Sequence, residues 1–299
     1  MNQDHSLNDQ NRGALFAVLA FAWWGLSPLY FKWVSHVAPL EVLANRVVWS
    51  FVLVSGLLWF SYKSTGIIDI LKSRKQLLAM LGSSLLIALN WLTFIWAVSE
   101  NKVLEASMGY YINPLVSIFL GMLFLKERLI KVQWIALALA ATGVSVQVIA
   151  LGYLPWVTLI LAFTFGFYGL LRKLAPTDAY TGLWFETAMV TPIALGYLLW
   201  IEGGALSTSN LEFGKLFLSG VVTTAPLIWF AIAAKHLPLT TLGFIQYLAP
   251  TIALILATQV FGEELNWIKA VTFMFIWAAL LLLIIHGVMQ RGKKAKTTA

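Results

Sequence analysis

The sequence has no cysteine and little charge. Of its 299 residues, 11% are charged and 60% are hydrophobic. Without cysteine there are no disulfides, no thiolate zinc sites and no cysteine nucleophile. A soluble domain carries about 25% charged residues, so this chain lacks the charge to coat one, and lipid is the remaining solvent for its surface. Enzyme signatures are missing too: there is no His-Glu-x-x-His, no Gly-x-Ser-x-Gly, no glycine-rich phosphate loop, and no aspartate within an apolar run. The expectation is a non-enzyme with no cofactor and no metal. No nucleotide-binding domain is present to drive a primary pump, and no repeated filter residues point to a channel. The net charge of +7 would suggest nucleic acid in a soluble protein. Here the basic residues sit between apolar runs and report topology instead.

What is present is length and apolarity. A helix needs about 20 mostly apolar residues to cross about 30 Å of hydrocarbon. Ten segments approach that length, near Ala14–Val34, Leu40–Phe60, Leu77–Val98, Glu105–Leu125, Val132–Ile149, Trp156–Leu171, Tyr180–Trp200, Lys215–Ala234, Thr240–Phe261 and Ile268–Val288. With the N-terminus inside, alternate gaps are basic: Lys63, Lys72, Arg74 and Lys75; Lys126, Arg128 and Lys131; Arg172 and Lys173; Lys235; then Arg291, Lys293, Lys294 and Lys296. The opposite side holds Lys32, Lys102, Lys215 and Lys269. This alternation predicts a multi-pass protein of a bacterial inner membrane, with lipid as its surroundings and both termini in the cytosol. Residues 1–12 read as a disordered cytosolic tail and 289–299 as a basic one.

The halves repeat. Asn113-Pro114 and Glu127 correspond to Ala249-Pro250 and Glu263 at a common offset of about 136 residues, and Leu19-Ala20-Phe21 to Leu161-Ala162-Phe163. This gives five-helix repeats over 13–149 and 150–288. Five is odd, so the second copy is inverted in the membrane. Inverted repeats can exchange conformations and open a central site to one side and then to the other.

Tyr110-Tyr111-Ile112-Asn113-Pro114 and Leu125-Lys126-Glu127-Arg128 resemble the EamA repeat of the drug/metabolite transporter superfamily. The opening stretch through Trp23-Trp24-Gly25-Leu26-Ser27-Pro28, with Leu43-Ala44-Asn45-Arg46 and Phe165-Gly166-Phe167-Tyr168-Gly169, resembles the RarD family, which is labelled chloramphenicol-sensitive protein. The resemblance covers nearly the whole chain. The second half departs from the pattern, with Gly262-Glu263-Glu264 where the first has Lys126-Glu127-Arg128. It implies ten helices in two five-helix repeats and export or exchange of a small metabolite or drug-like solute. A monomer or weak dimer is expected. The competing reading is a sensor or scaffold on a transporter fold.

Ionisable residues within a span face the bundle interior and mark function or a structural pair. Arg46 lies about six residues, roughly 9 Å, into the second run. Glu41 or Glu105 could pair with it. Glu186 is its repeat equivalent near the opposite face. In a core about 30 Å thick the two differ by roughly 12 Å in depth, so no direct salt bridge is expected and each is assigned to the gate on its own side. Glu186 is also a candidate proton-coupling site, since low dielectric favours a neutral carboxyl. Tyr110 and Tyr111 match Gln246 and Tyr247, each pair about one turn before its proline, so these are candidate ligand contacts. Pro114 and Pro250 are candidate bending points. Asn113 and Glu105, with Gly109 between, are expected on one helix face. Asn90 and Trp91 fall mid-span, where the amide needs a partner or a cavity. Gly82, Ser83 and Ser84 read as packing residues.

Overall fold

A computed structural model of the chain describes residues 2–60, 65–100, 102–153, 155–202, 204 and 209–297, with side chains from 9 to 290 except at 65. Lys63 and the side chains of Arg291, Lys293, Lys294 and Lys296 lie outside the described residues. The described residues form helices and no strand: α1 (Asn2–Trp33), α2 (Pro39–Phe60), α3 (Thr65–Lys72), α4 (Arg74–Ser99), α5 (Val103–Leu125), α6 (Lys131–Leu151), α7 (Trp156–Leu174), α8 (Ala179–Trp200), α9 (Asn210–His236), α10 (Leu239–Gln246), α11 (Leu248–Gln259) and α12 (Trp267–Thr297). Ten spans among them are long and apolar enough to cross a membrane, α10 and α11 making one together. Both termini therefore lie at one end of the bundle, called here the terminal end, and the other is the far end.

Helix starts follow local chemistry. Asp178 accepts from the Tyr180 and Thr181 amides at the head of α8, and Ser209 accepts from Glu212 N at the head of α9. Lys126 adopts the left-handed conformation after α5, with φ 55°. Two differences from expectation stand out, and of the two candidate bending points one is a break. Residues 2–12, expected to be disordered, continue α1 back to Asn2, and α12 runs on to Thr297. The connection after α2 contains the short helix α3. The ninth span breaks at Tyr247. Pro250 has no N–H for the Gln246 carbonyl, which loosens the ladder at that turn. Pro114, its equivalent, leaves α5 continuous.

The repeat is visible in the elements. α8 reproduces α2 with both ends shifted by 140 positions, Pro39 to Ala179 and Phe60 to Trp200. The starts of α5 and α6 are reproduced by α10 and α12 with a shift of 136, Val103 to Leu239 and Lys131 to Trp267. Packing obeys the same symmetry: α1 lies on α9 and α11, while its counterpart α7 lies on α4 and α5. α2 meets α8, α5 meets α10, and α6 meets α12, each helix touching its own counterpart.

Small residues set the closest approaches. A Cβ on Gly220 of α9 would stand 2.6 Å from Trp49 Cβ and 2.7 Å from Trp49 C on α2. The Ser50 hydroxyl donates to Gly220 O across the same contact, at 3.3 Å. A Cβ on Gly56, lower on α2, would meet nothing within 4 Å. Gly220→Leu should therefore lower the unfolding midpoint in detergent, by about 1–3 kcal/mol of overpacking, while Gly56→Leu leaves it nearly unchanged. Equal midpoints for the two variants would refute this packing account.

Candidate functional site

A cavity of ≈ 130 Å³ lies among α1, α2, α4, α5, α7, α9 and the α10–α11 break. A single water needs about 10–15 Å³ by the same measure, so a small solute fits. Every lining residue sits in the far half of its span or near its middle. The lining is aromatic, with Phe31, Trp91, Phe94 and Tyr110 towards the far end and Phe21, Trp24 and Phe165 beneath. It includes one charged side chain, Arg46, and no carboxylate.

Arg46 is the eighth residue of α2. Its Nε donates to Thr223 Oγ1 on α9 at 2.8 Å, and Thr223 in turn donates to Ser219 O. The guanidinium carbon lies 5.2 Å from the Phe31 ring centre and 5.8 Å from that of Trp91. Neither expected acid reaches it. Among the described residues no carboxylate lies within 4 Å of Arg46. Glu41 is buried with its carboxylate against Gly204. Glu105 takes a hydrogen bond from the Tyr153 hydroxyl at 3.1 Å, and its carbonyl takes one from Thr158 at 2.5 Å.

Below the cavity an aromatic floor joins α1, α7 and α9. Phe230 packs against Phe21, Trp24, Phe165 and Tyr168 with ring centres 5.1–6.1 Å apart. Beneath the floor lies Glu186, the eighth residue of α8. It accepts hydrogen bonds from Ser83 and from the Tyr168 hydroxyl, the latter at 3.2 Å. Its carboxylate is 3.6 Å from Arg172 Nη1, and both side chains are buried, with 0% of Arg172 and 2% of Glu186 exposed. Arg172 also donates to Ala179 O at 3.1 Å. Gly182 makes room for it, since a Cβ there would stand 1.6 Å from Arg172 Nη1.

By residue order Arg172 belongs with a basic gap and Ser83 with the packing residues; the structure instead turns Arg172 inward, and buried Ser83 also donates a hydrogen bond to Glu186. Neighbouring Lys173 made the pair look like surface charge, yet helical rotation turns Arg172 inward to Glu186. The overlooked signal was the repeat: Ser83 and Thr223 are 140 positions apart, as are Glu186 and Arg46. Two equivalent hydrogen bonds thus hold two opposite charges.

The paired candidates also separate. Tyr110 and Gln246 line the cavity, as do Asn113, Pro114 and Pro250. Tyr111 and Tyr247 do not. One residue further is about 100° of helix rotation, which turns Tyr111 onto Phe273, at 5.4 Å between ring centres, and buries Tyr247 against the α6–α12 pair. Glu105 leaves the cavity face shared by Gly109 and Asn113, because four-residue steps drift about 40° each. Asn90 combines both roles foreseen for it: it lines the cavity with Trp91, and its Nδ2 donates to Leu161 O and Thr164 Oγ1 on α7, both at 2.9 Å.

The two ends of the bundle are not equivalent. At the terminal end both oxygens of Glu127 accept backbone amides at the head of α10, from Leu239 at 2.7 Å and Thr240 at 2.8 Å. Gly121 admits this carboxylate, because a Cβ there would be 2.7 Å from Glu127 Oε2. Lys173 adds bonds to the Ala234 and Leu237 carbonyls, and Lys235 to those of Ala175 and Thr177. At the far end the equivalents of Glu127, Leu239 and Thr240 are Glu263, Val103 and Leu104. Among the described residues no hydrogen bond joins them. Glu263 instead lies 3.7 Å from Lys269, and Val103 and Leu104 are exposed.

Comparison with known proteins matches these features. A model of the EamA-like transporter family fits residues 11–149 and again residues 153–285. The chain is 45% identical over 292 residues to a protein of Vibrio cholerae named uncharacterized transporter, spanning 96% of each. It is 44% identical over 287 residues to Protein RarD of Salmonella typhi, covering 95% of this chain and 98% of that one. A solved crystal structure shares the fold with a TM-score of 0.69 at 16% identity, over 91% of this chain and 97% of the other.

Removing one member of a buried ion pair strands the other in low dielectric, at about 3–5 kcal/mol. Arg172→Met should therefore unfold at markedly lower denaturant in detergent micelles. Adding Glu186→Gln should recover most of that loss. Additive losses in the double variant would contradict the pairing.

Proposed function

The chain belongs to the EamA-like transporter family, and we propose that it is a secondary transporter moving a small solute by alternating access of its two inverted repeats. The observation that carries this reading is the unequal pair of ends around a central cavity. The aromatic floor, the Arg172–Glu186 pair and the Glu127 cap all lie on the terminal side of the cavity. Among the described residues, Glu263 makes no hydrogen bond to Val103 or Leu104, and no carboxylate lies within 4 Å of Arg46. With both termini cytoplasmic in a bacterial inner membrane, the structure is the state that faces outward.

The repeat then specifies the other state. When the halves exchange conformations, Glu127 releases Leu239 and Thr240, and Glu263 takes the amides of Val103 and Leu104. The far end closes as the terminal end opens. Arg46 and Glu186 sit on opposite sides of the floor, so each serves the gate nearest to it. Because Arg172 and Glu186 already neutralise each other, the exchange needs no proton uptake to keep this charge compensated.

A chain without cysteine permits a direct test with single introduced cysteines. Ser27→Cys, in the cavity, should react with an impermeant maleimide added outside oriented vesicles. Glu127→Gln loses one of two capping acceptors, worth about 1 kcal/mol, or roughly fivefold in population. It should slow labelling from outside and speed it from inside, and Glu263→Gln should do the reverse. Labelling unaffected by either change would refute the exchange. Counterflow of labelled amino acids and organic acids into liposomes holding only this protein tests transport itself, and absence of saturable uptake across that panel would favour the sensor or scaffold reading.

A further inference from the structure

We propose that the cavity is an anion site, with Arg46 as the group that captures a monovalent carboxylate carried on a flat or branched apolar body. The inference rests on the transport reading for its purpose but not for its geometry.

Arg46 is the one charged group in the lining, and no carboxylate lines the cavity with it. The pocket therefore presents a net positive charge in low dielectric, where an uncompensated cation is costly. Thr223 uses only Nε. The two terminal nitrogens keep four N–H donors, and no described protein acceptor takes them. That is the planar fork that matches a carboxylate with two parallel hydrogen bonds. Phe31 and Trp91 lie against the guanidinium. They hold its plane while contributing no acceptor that would satisfy it.

The rest of the lining describes the body attached to that carboxylate. Trp24 and Phe165 are 5.6 Å apart at the floor, an apolar seat for a ring or a branched chain. Gln246, only 4% exposed, and Asn113 both line this space, and the side-chain oxygen of each is buried and unpartnered among the described residues. An amide can turn either its oxygen or its nitrogen to a ligand, so these two accept one polar substituent at the end away from Arg46. No acid is present to hold an organic cation, so a positively charged solute of the same shape is disfavoured. Glu186, the repeat equivalent, does not duplicate the site, because Arg172, Ser83 and Tyr168 already occupy its carboxylate.

Three isosteres test this on the purified full-length protein: phenylacetate, its neutral amide phenylacetamide, and the cation phenethylammonium. Binding is read by quenching of tryptophan fluorescence, with Trp24 and Trp91 in the wall. Phenylacetate should bind on the order of tenfold or more tightly than either isostere. Arg46→Gln should abolish that preference, and Arg46→Lys, a charge without the fork, should keep part of it. Unfolding midpoints close to that of the parent protein identify a folded variant. If Arg46→Gln does not fold, Arg46→Lys and the parent's isostere ranking carry the test. Equal binding of the three isosteres, no saturable phenylacetate binding, or unchanged preference in folded Arg46→Gln would overturn the proposal. Charge-selective binding without counterflow would instead sink the transport reading and leave the anion site standing.

Discussion

A guanidinium cannot shed its charge, and hydrocarbon offers it no partner. This constraint organises the polar interior of the bundle. Arg172 meets it by burial: Glu186 supplies the counter-charge, Ala179 an extra acceptor, and Gly182 the space. Arg46 meets it differently. It bonds Thr223, rests against two rings, and turns its remaining donors to a cavity. One arginine is paired inside the protein, and the other lines the cavity.

The duplication explains how both solutions arise on one scaffold. Equivalent positions of the two repeats carry a cation in one and an anion in the other, each bonded by an equivalent hydroxyl, Thr223 or Ser83. The backbone frame is shared, but the charge is inverted. The partner of Glu186 comes from Arg172, whose repeat position under the Leu19-to-Leu161 correspondence is the uncharged Tyr30 of α1, its hydroxyl donating to Lys215 O at 3.0 Å. The nearby Lys32 holds its ammonium 4.2 Å from the Phe261 ring centre. A symmetric backbone with asymmetric charge therefore gives one position with a buried ion pair and one without a carboxylate partner among the described residues.

Helix packing and the Glu127 cap are also linked through small side chains. Gly220 lets α2 and α9 touch at backbone distance beside Arg46 and Thr223, and Gly121 lets Glu127 reach the head of α10. In lipid such contacts rest on van der Waals fit and internal hydrogen bonds rather than on expulsion of water. Interfaces built this way can be exchanged for equivalent ones at modest cost, as the proposed alternating access requires.

Much of the fold was legible because lipid imposes length and apolarity on each span and an odd repeat imposes inversion. The ten spans, the matched prolines and the Arg46–Glu186 correspondence all follow from residue order alone. So does the choice of Arg46, Asn90, Trp91, Tyr110, Asn113 and Gln246, which line one cavity. The partners were not legible. Arg172 beside Lys173 has the sequence appearance of a loop charge, and only the rotation of α7 and the packing of α8 bring it to Glu186. Tyr111 and Tyr247 were separated from Tyr110 and Gln246 by one residue of helical twist. Sequence by itself determined which groups must be satisfied inside the membrane. Tertiary structure decided which groups satisfy them, because pairing depends on helix rotation and approach at the scale of a single side chain.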